Sequence, residues 1–429
     1  MPTLTPRETP EVSAALWLNK LGPGLITGAA DDDPSGIATY SQAGAQFGFN
    51  MLWTIFLTYP LMVGVQVISA KIGRVTGHGL ATSIRRHYSG WLLYFIVGLL
   101  LVANTINIGA DLAAMAAALN LLLGGPTHFY AVGFGAASLL LQIIVPYKRY
   151  VRILKWLTLA LLAYVGTAFV VHMPWAQVMT NTLMPHLAWK TEFVTTVVAV
   201  FGTTISPYLF FWQASEEVEE QRANAKAAPL KYAPEQASAN FRRIRIDTFI
   251  GMGFSNAVAY FIILTTAVTL NAHGVTDIQT SAQAASALRP IAGELAFWLF
   301  SAGIIGTGLL AVPVLAGSAA YAVAGAFNWK SSLGLSPALA KKFYSIIAIS
   351  TLVGVAICFA PIDPIKALYW SAVINGVISV PILVVMMLIA RRSDIMGQFV
   401  ISLRLKVLGW LCTGVMASAV VAMFVTMGI

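Results

Sequence analysis

Three consecutive carboxylates, Asp31, Asp32 and Asp33, are followed by Pro34, Ser35 and Gly36 and stand between two apolar runs. Ion-forming residues inside an apolar span are costly and mark function by default. Pro34 has no amide donor and disfavours helical geometry at Asp33, while Gly36 adds backbone freedom. The expected result is two half-helices joined by extended residues, with freed carbonyls and the Asp33 carboxylate facing one point. Such a cluster of oxygens suits a hard cation. The residues alone leave one alternative, a cap at the membrane surface for a single short helix. A second interruption, Gly202-Thr203-Thr204-Ile205-Ser206-Pro207-Tyr208, lies in another apolar run, and charge returns only at Glu216. By itself a proline there need be no more than a kink.

The elements that must position these residues follow from composition. Of 429 residues, 58% are hydrophobic and 10% are charged, against about 25% charged in a soluble domain. A water-soluble enzyme and a disordered chain are excluded. The net charge of +9 does not indicate nucleic acid, because it comes with scarce acids and long apolar runs. A bilayer-crossing helix needs about 20 apolar residues. Stretches at 16–46, 51–72, 91–122, 127–146, 153–172, 193–213, 246–270, 291–324, 343–361, 367–390 and 407–428 predict an all-α polytopic membrane protein with eleven transmembrane helices. With the N-terminus cytoplasmic, 23 of the 26 Lys and Arg residues fall on the inner side, leaving Lys190, Arg289 and Lys366 outside. This segregation places the C-terminus outside and the protein in the cytoplasmic membrane. The first 15 residues lack a cleaved-signal pattern, so the first span is expected to serve as the targeting signal.

The two breaks fall in the first and sixth spans, five helices apart. An odd offset inverts the second set, which predicts a 5+5 inverted repeat with a midplane site framed by the broken helices. One transmembrane transport domain over residues 1–429 is expected. Its first repeat spans about 16–172, its inverted second repeat about 193–390, and an extra helix about 407–428. Asn375-Gly376 lies mid-span in the tenth helix, and Asn375 is a candidate ligand or water-shell contact. The acidic cluster Glu216, Glu217, Glu219 and Glu220 reads as a solvated cytoplasmic helix end, with an inner cation vestibule as the other reading. Asp363-Pro364 reads as a helix cap. No nucleotide loop, catalytic triad or structural zinc pattern is present, so neither an enzyme nor a cofactor is expected, and no obligatory protein partner is evident.

Gly22-Pro23-Gly24, Asp33-Pro34, Ala38-Thr39-Tyr40, Gln46-Phe47-Gly48 and Asp111-Leu112-Ala113, with the broken sixth span, resemble the NRAMP metal-ion transporters. The likeness covers nearly the whole chain and implies the LeuT-like fold. Typical members carry Asp-Pro-Gly-Asn in the first break and Met-Pro-His-Asn in the sixth. There Asp, Asn, Met and backbone carbonyls bind manganese or iron, and the His and third-span acids accompany protons. Carried over, the metal-binding Asp is Asp33, and the carbonyl donors are Ala30 and Thr203. The Asn becomes Gly36, the Met becomes Ser206, the His becomes Tyr208 and the following Asn becomes Leu209. In the third span Asp111 is kept, while the acids seven before and three after it become Asn104 and Ala114.

These departures point one way. Thioether sulfur favours transition metals, and its replacement by Ser206 leaves oxygen alone. Glycine at position 36 deletes a large ligand and is expected to open space. Mg²⁺ sheds water reluctantly and uses one or two carboxylates, so the pattern resembles the NRAMP-related magnesium transporters. The resemblance implies Mg²⁺ import, with Mn²⁺ a second cargo, by alternating access. A proton path wants groups that titrate near neutrality. Tyr208, Asn104 and Ala114 are poor substitutes, so obligatory proton symport is not expected. The alternatives are a proton-coupled Mn²⁺/Fe²⁺ importer of the same family and a sodium-coupled amino-acid transporter of the same fold.

Overall fold

A computed structural model describes residues 23–145 and 159–428, and every regular element among them is helical. Residues 16–22 of the first expected span and 153–158 of the fifth lie outside the described residues, as do Arg7, Lys20, Lys148, Arg149, Arg152 and Lys155. The first span is broken into α1 (Pro23–Asp31) and α2 (Pro34–Phe47). Then come α3 (Leu52–Thr76), the short surface helix α4 (Leu80–His87), α5 (Gly90–Leu123), α6 (Thr127–Ile144), α7 (Leu162–Val170) and α8 (Trp175–Leu183). The sixth span is broken into α9 (Thr191–Thr204) and α10 (Pro207–Arg222). The remainder is α11 (Ala237–Thr269), α12 (Ser281–Ser286), α13 (Arg289–Ala292), α14 (Ala296–Phe327), α15 (Lys341–Ile357), α16 (Pro364–Ala390), α17 (Ser393–Met396) and α18 (Leu403–Met427).

Helices lie at each of the eleven expected stretches within the described residues. Among the described residues, eight segments are long and apolar enough to cross a membrane, one of them the continuous stretch Pro34–Thr76. Length and apolarity therefore do not fix the count of eleven. The difference has three sources: α2 runs on into α3 as one continuous stretch, the described helical part of the fifth expected span is only Leu159–Val170, and α15 is 17 residues long.

Both breaks sit where proline dictates. Pro34 and Pro207 each occupy the first turn of a second half-helix, where a missing amide donor costs nothing. Glycine then lets the half-helices press onto neighbours. A Cβ on Gly28 of α1 would lie 2.3 Å from the Gly251 backbone of α11, and one on Gly73 of α3 would lie 2.2 Å from the Ala214 carbonyl of α10. One on Gly202 of α9 would lie 2.1 Å from the Ala372 carbonyl of α16. Only glycine permits these backbone approaches. They fix α1 on α11, α10 on α3 and α9 on α16, and so hold both breaks in the centre of the bundle. Asp363 caps α16 as expected, its Oδ1 accepting from the Lys366 amide at 3.1 Å.

Candidate metal-ion site

The first break brings Asp33 out of helical geometry (φ −72°, ψ 168°). Its Oδ1 accepts the Gly36 amide at 2.7 Å and caps α2. Its Oδ2 faces two donors, the Asn107 amide nitrogen of α5 at 3.2 Å and the Tyr208 hydroxyl of α10 at 3.4 Å. The same Tyr208 hydroxyl lies 3.0 Å from the Ala30 carbonyl, to which it donates. Thus Asp33 and Ala30, expected to share a site, are bridged by Tyr208, a residue expected only as an altered coupling position. The hydroxyl of Tyr208 stands on both oxygens that a cation would use.

Ser206 lies in the second break and turns its hydroxyl back on its own chain, 2.7 Å from the Thr203 carbonyl and 2.9 Å from that of Gly202. The Thr203 side chain instead reaches the first break. A Cβ on Gly36 would lie 3.2 Å from Thr203 Oγ1 and 3.3 Å from the Tyr40 ring. The space expected at Gly36 is therefore taken up by its neighbours, which close over the missing side chain. Asn375 is buried in α16, with its Oδ1 unpartnered, and the next residue, Gly376, packs against Gly202. This places Asn375 beside the second break and gives it no direct bond to Asp33.

Asp31 and Asp32 turn away from Asp33. Ser255 Oγ of α11 lies 2.6 Å from Asp31 Oδ2 and 2.9 Å from Asp32 Oδ1. All three aspartates are at most 2% exposed, which rules out the alternative of a surface cap. On α5, Asn104, Asn107 and Asp111 are fully buried. Asn104 donates to the Leu315 carbonyl at 2.9 Å. Neither oxygen of Asp111 has a hydrogen-bond partner, and Ala114 is buried.

Sequence reasoning missed Asn107 and Ser255. Asn107 had a signal, since it completes an i, i+3, i+7 polar stripe with Asn104 and Asp111 on an otherwise apolar helix. Ser255 had none, because a serine in an apolar helix is ordinary.

The two ends of the bundle are closed differently. At one end a cleft of about 760 Å³ is lined by the second half of α5 and the starts of α6 and α16. Ser371 lines it, and both Ser371 and Ser35 donate to the Leu368 carbonyl, at 2.7 and 3.0 Å. The Ser35 hydroxyl also lies 3.1 Å from that of Ser371, so hydroxyl contacts join the first break to the wall of the cleft. At the other end Arg243 of α11 binds Glu217 at 2.5 Å, Glu220 at 3.1 Å and Asp247 at 3.3 Å. Glu216 and Glu217 are buried, which corrects the reading of this cluster as a solvated helix end. The chain folds α11 over it and supplies the guanidinium that a buried carboxylate requires.

A family profile described as natural resistance-associated macrophage protein-like (Nramp) matches residues 24–426. The divalent metal cation transporter MntH of Klebsiella pneumoniae (strain 342) is 25% identical over 405 residues, covering 93% of this chain and 92% of that protein. The manganese transporter of Eremococcus coleocola, solved as a point mutant, superposes with a TM-score of 0.75 at 18% identity, over 98% of this chain and 88% of that one. MhsT in complex with L-phenylalanine gives a TM-score of 0.62 at 12% identity, over 95% and 98% of the two chains. These likenesses establish the LeuT-like fold with its broken first and sixth helices. The chain is a multi-pass membrane protein of the Nramp family, whose members are metal-ion transporters that need no cofactor and are not enzymes.

Proposed function

We propose that the protein imports Mg²⁺, with Mn²⁺ as a second cargo, by alternating access and without obligatory proton symport. The observation that carries this reading is the chemistry around Asp33. Its described partners are an amide, a carboxamide and a phenol, and positions 206 and 208 hold hydroxyls where a thioether and an imidazole would favour a softer, dehydrated metal. One carboxylate with oxygen neighbours suits an ion that keeps several waters. Asp111 is the only acid on α5, and Asn104 and Ala114 cannot carry protons. None is needed, since an inside-negative potential favours a divalent cation by about 4.6 kcal/mol per 100 mV.

The same proposal includes eleven crossings, a first repeat over about 16–172, an inverted second over about 193–390 and an added helix over about 407–428. The close approach of α2 to α11, where a Cβ on Gly44 would lie 2.3 Å from the Ile263 carbonyl, and of α10 to α3 at Gly73 supports that symmetry, because inversion of the repeat exchanges these two contacts. It also places the N-terminus and the Arg243 end in the cytoplasm and the C-terminus and cleft outside, supported by the basic residues at the Arg243 end.

Proteoliposomes loaded with a Mg²⁺ indicator and a pH indicator test the function. Mg²⁺ uptake at constant internal pH is expected. Mn²⁺ uptake that acidifies the lumen, with no Mg²⁺ uptake, would establish the second reading, a proton-coupled manganese importer; the name of the Eremococcus protein favours manganese as the cargo. The acidic triplet argues against an amino-acid carboxylate as cargo.

A further inference from the structure

The stripe Asn104, Asn107 and Asp111 holds four buried oxygens without a hydrogen-bond partner: Asn104 Oδ1, Asn107 Oδ1 and both oxygens of Asp111. The orientation of each amide is set by its nitrogen, which donates to the Leu315 carbonyl from Asn104 and to Asp33 Oδ2 from Asn107. The free end in both is therefore an acceptor. Spaced i, i+3, i+7, the three residues share one face and span about 10 Å along the helix axis. A packing face would be apolar or would meet donors, since a buried acceptor without a donor is costly. A bare metal ion could contact only one of these positions at a time. The water shell of a hydrated cation, by contrast, presents only donors outward and is wide enough to bridge neighbouring positions.

We propose that this face of α5 is a track for the water shell of the transported cation. Asn107 positions Asp33 and accepts from shell water, while Asp111 and Asn104 accept on either side of it along the path. The inference rests on the reading that the cargo is a partly hydrated Mg²⁺. Selectivity then arises in part on α5, away from the two breaks, because an ion that gives up its water readily depends less on outer acceptors.

Hexaamminecobalt(III), whose ammine ligands do not exchange and point donors outward like a hydrated Mg²⁺, is the probe. In proteoliposomes it is expected to compete with Mg²⁺ uptake by the unmodified protein. Asn107→Leu and Asn104→Leu keep approximate size and charge and remove the acceptor together with the amide donor to Asp33 or to the Leu315 carbonyl, so the contrast between Mg²⁺ and Mn²⁺ is what isolates the acceptor. Each is expected to raise the half-saturation for Mg²⁺ and the inhibitory concentration of hexaamminecobalt(III) together, by about five- to tenfold, and that for Mn²⁺ by about twofold or less. Mg²⁺ uptake indifferent to hexaamminecobalt(III), or variants that weaken both metals equally, would overturn the track while leaving the magnesium reading standing. Absence of Mg²⁺ uptake by the unmodified protein would overturn the magnesium reading itself, and the track with it.

Discussion

Asp33 divides its work between two oxygens. Oδ1 caps α2 through the Gly36 amide, and Oδ2 faces Asn107 and Tyr208. Replacing it therefore has two separable effects. Asp33→Ala and Asp33→Asn are both expected to abolish Mg²⁺ uptake, because the charge is lost in each. Only Ala removes the cap, at about 0.5–2 kcal/mol, so Asp33→Asn should keep the thermal stability in detergent that Asp33→Ala loses. A folded Asp33→Asn protein with full Mg²⁺ flux would move the site elsewhere, with Asp31 and Asp32 the nearest candidates. Ser206→Met is expected to shift preference from Mg²⁺ toward Mn²⁺ in competitive uptake, because sulfur favours the softer ion. Adding Gly36→Asn should lower stability as well, since Thr203 and Tyr40 already stand within 3.3 Å of a Cβ there. At this scale Asp33 was legible because a carboxylate before proline inside an apolar run has few other uses. Gly36 and Ser206 became legible only beside a family pattern. Tyr208 was read as a lost proton carrier, and its contact with Asp33 needed three dimensions.

Helices here are held by backbone-to-backbone approaches and by one buried charge cluster, and these respond differently to substitution. Gly202→Ala drives a methyl group into the Ala372 carbonyl. Overpacking of that kind costs about 1–3 kcal/mol, and the expected outcome is a lower Tm with α9 displaced from α16. Arg243→Ala leaves Glu217, whose side chain is fully buried, without its guanidinium. Breaking a buried pair from one side costs about 3–5 kcal/mol. Arg243→Ala with Glu217→Gln should recover much of that loss, because the uncompensated charge is gone; an unchanged Tm for the double variant would show that the arginine acts through Glu220 and Asp247 instead. The breaks themselves were legible, since proline and glycine act locally on the chain. Which glycine faces which helix was not, because a close approach depends on partners tens to hundreds of residues away. Glu217 misled for the same reason. Its neighbours in sequence are polar, and the helix that buries it begins only at Ala237.

Across the whole molecule, the proposed function has charge set both the driving force and the direction. Mg²⁺ uptake is expected to scale with an inside-negative potassium diffusion potential and to ignore an imposed pH gradient; the reverse dependence would reinstate proton coupling. Orientation is checked by single cysteines: one at Asp394 is expected to react with an impermeant reagent only from the cytoplasmic side, and one at Lys366 only from outside. The two closures also carry a kinetic consequence. On the cleft side the Ser35 hydroxyl joins the break to α16 through the Leu368 carbonyl and the Ser371 hydroxyl, neutral bonds worth about 0.5–1.5 kcal/mol net each. The opposite side is sealed by a guanidinium shared among three carboxylates and by glycine-mediated backbone contact. Under the proposed orientation, contacts this unequal are expected to let the cleft side open to the external solution many times for each turnover. Binding from the cleft side would then reach equilibrium before the slow inner opening. The Mg²⁺ concentration at half-maximal uptake would report a true dissociation constant, so calorimetric Kd and transport KM should coincide for this protein.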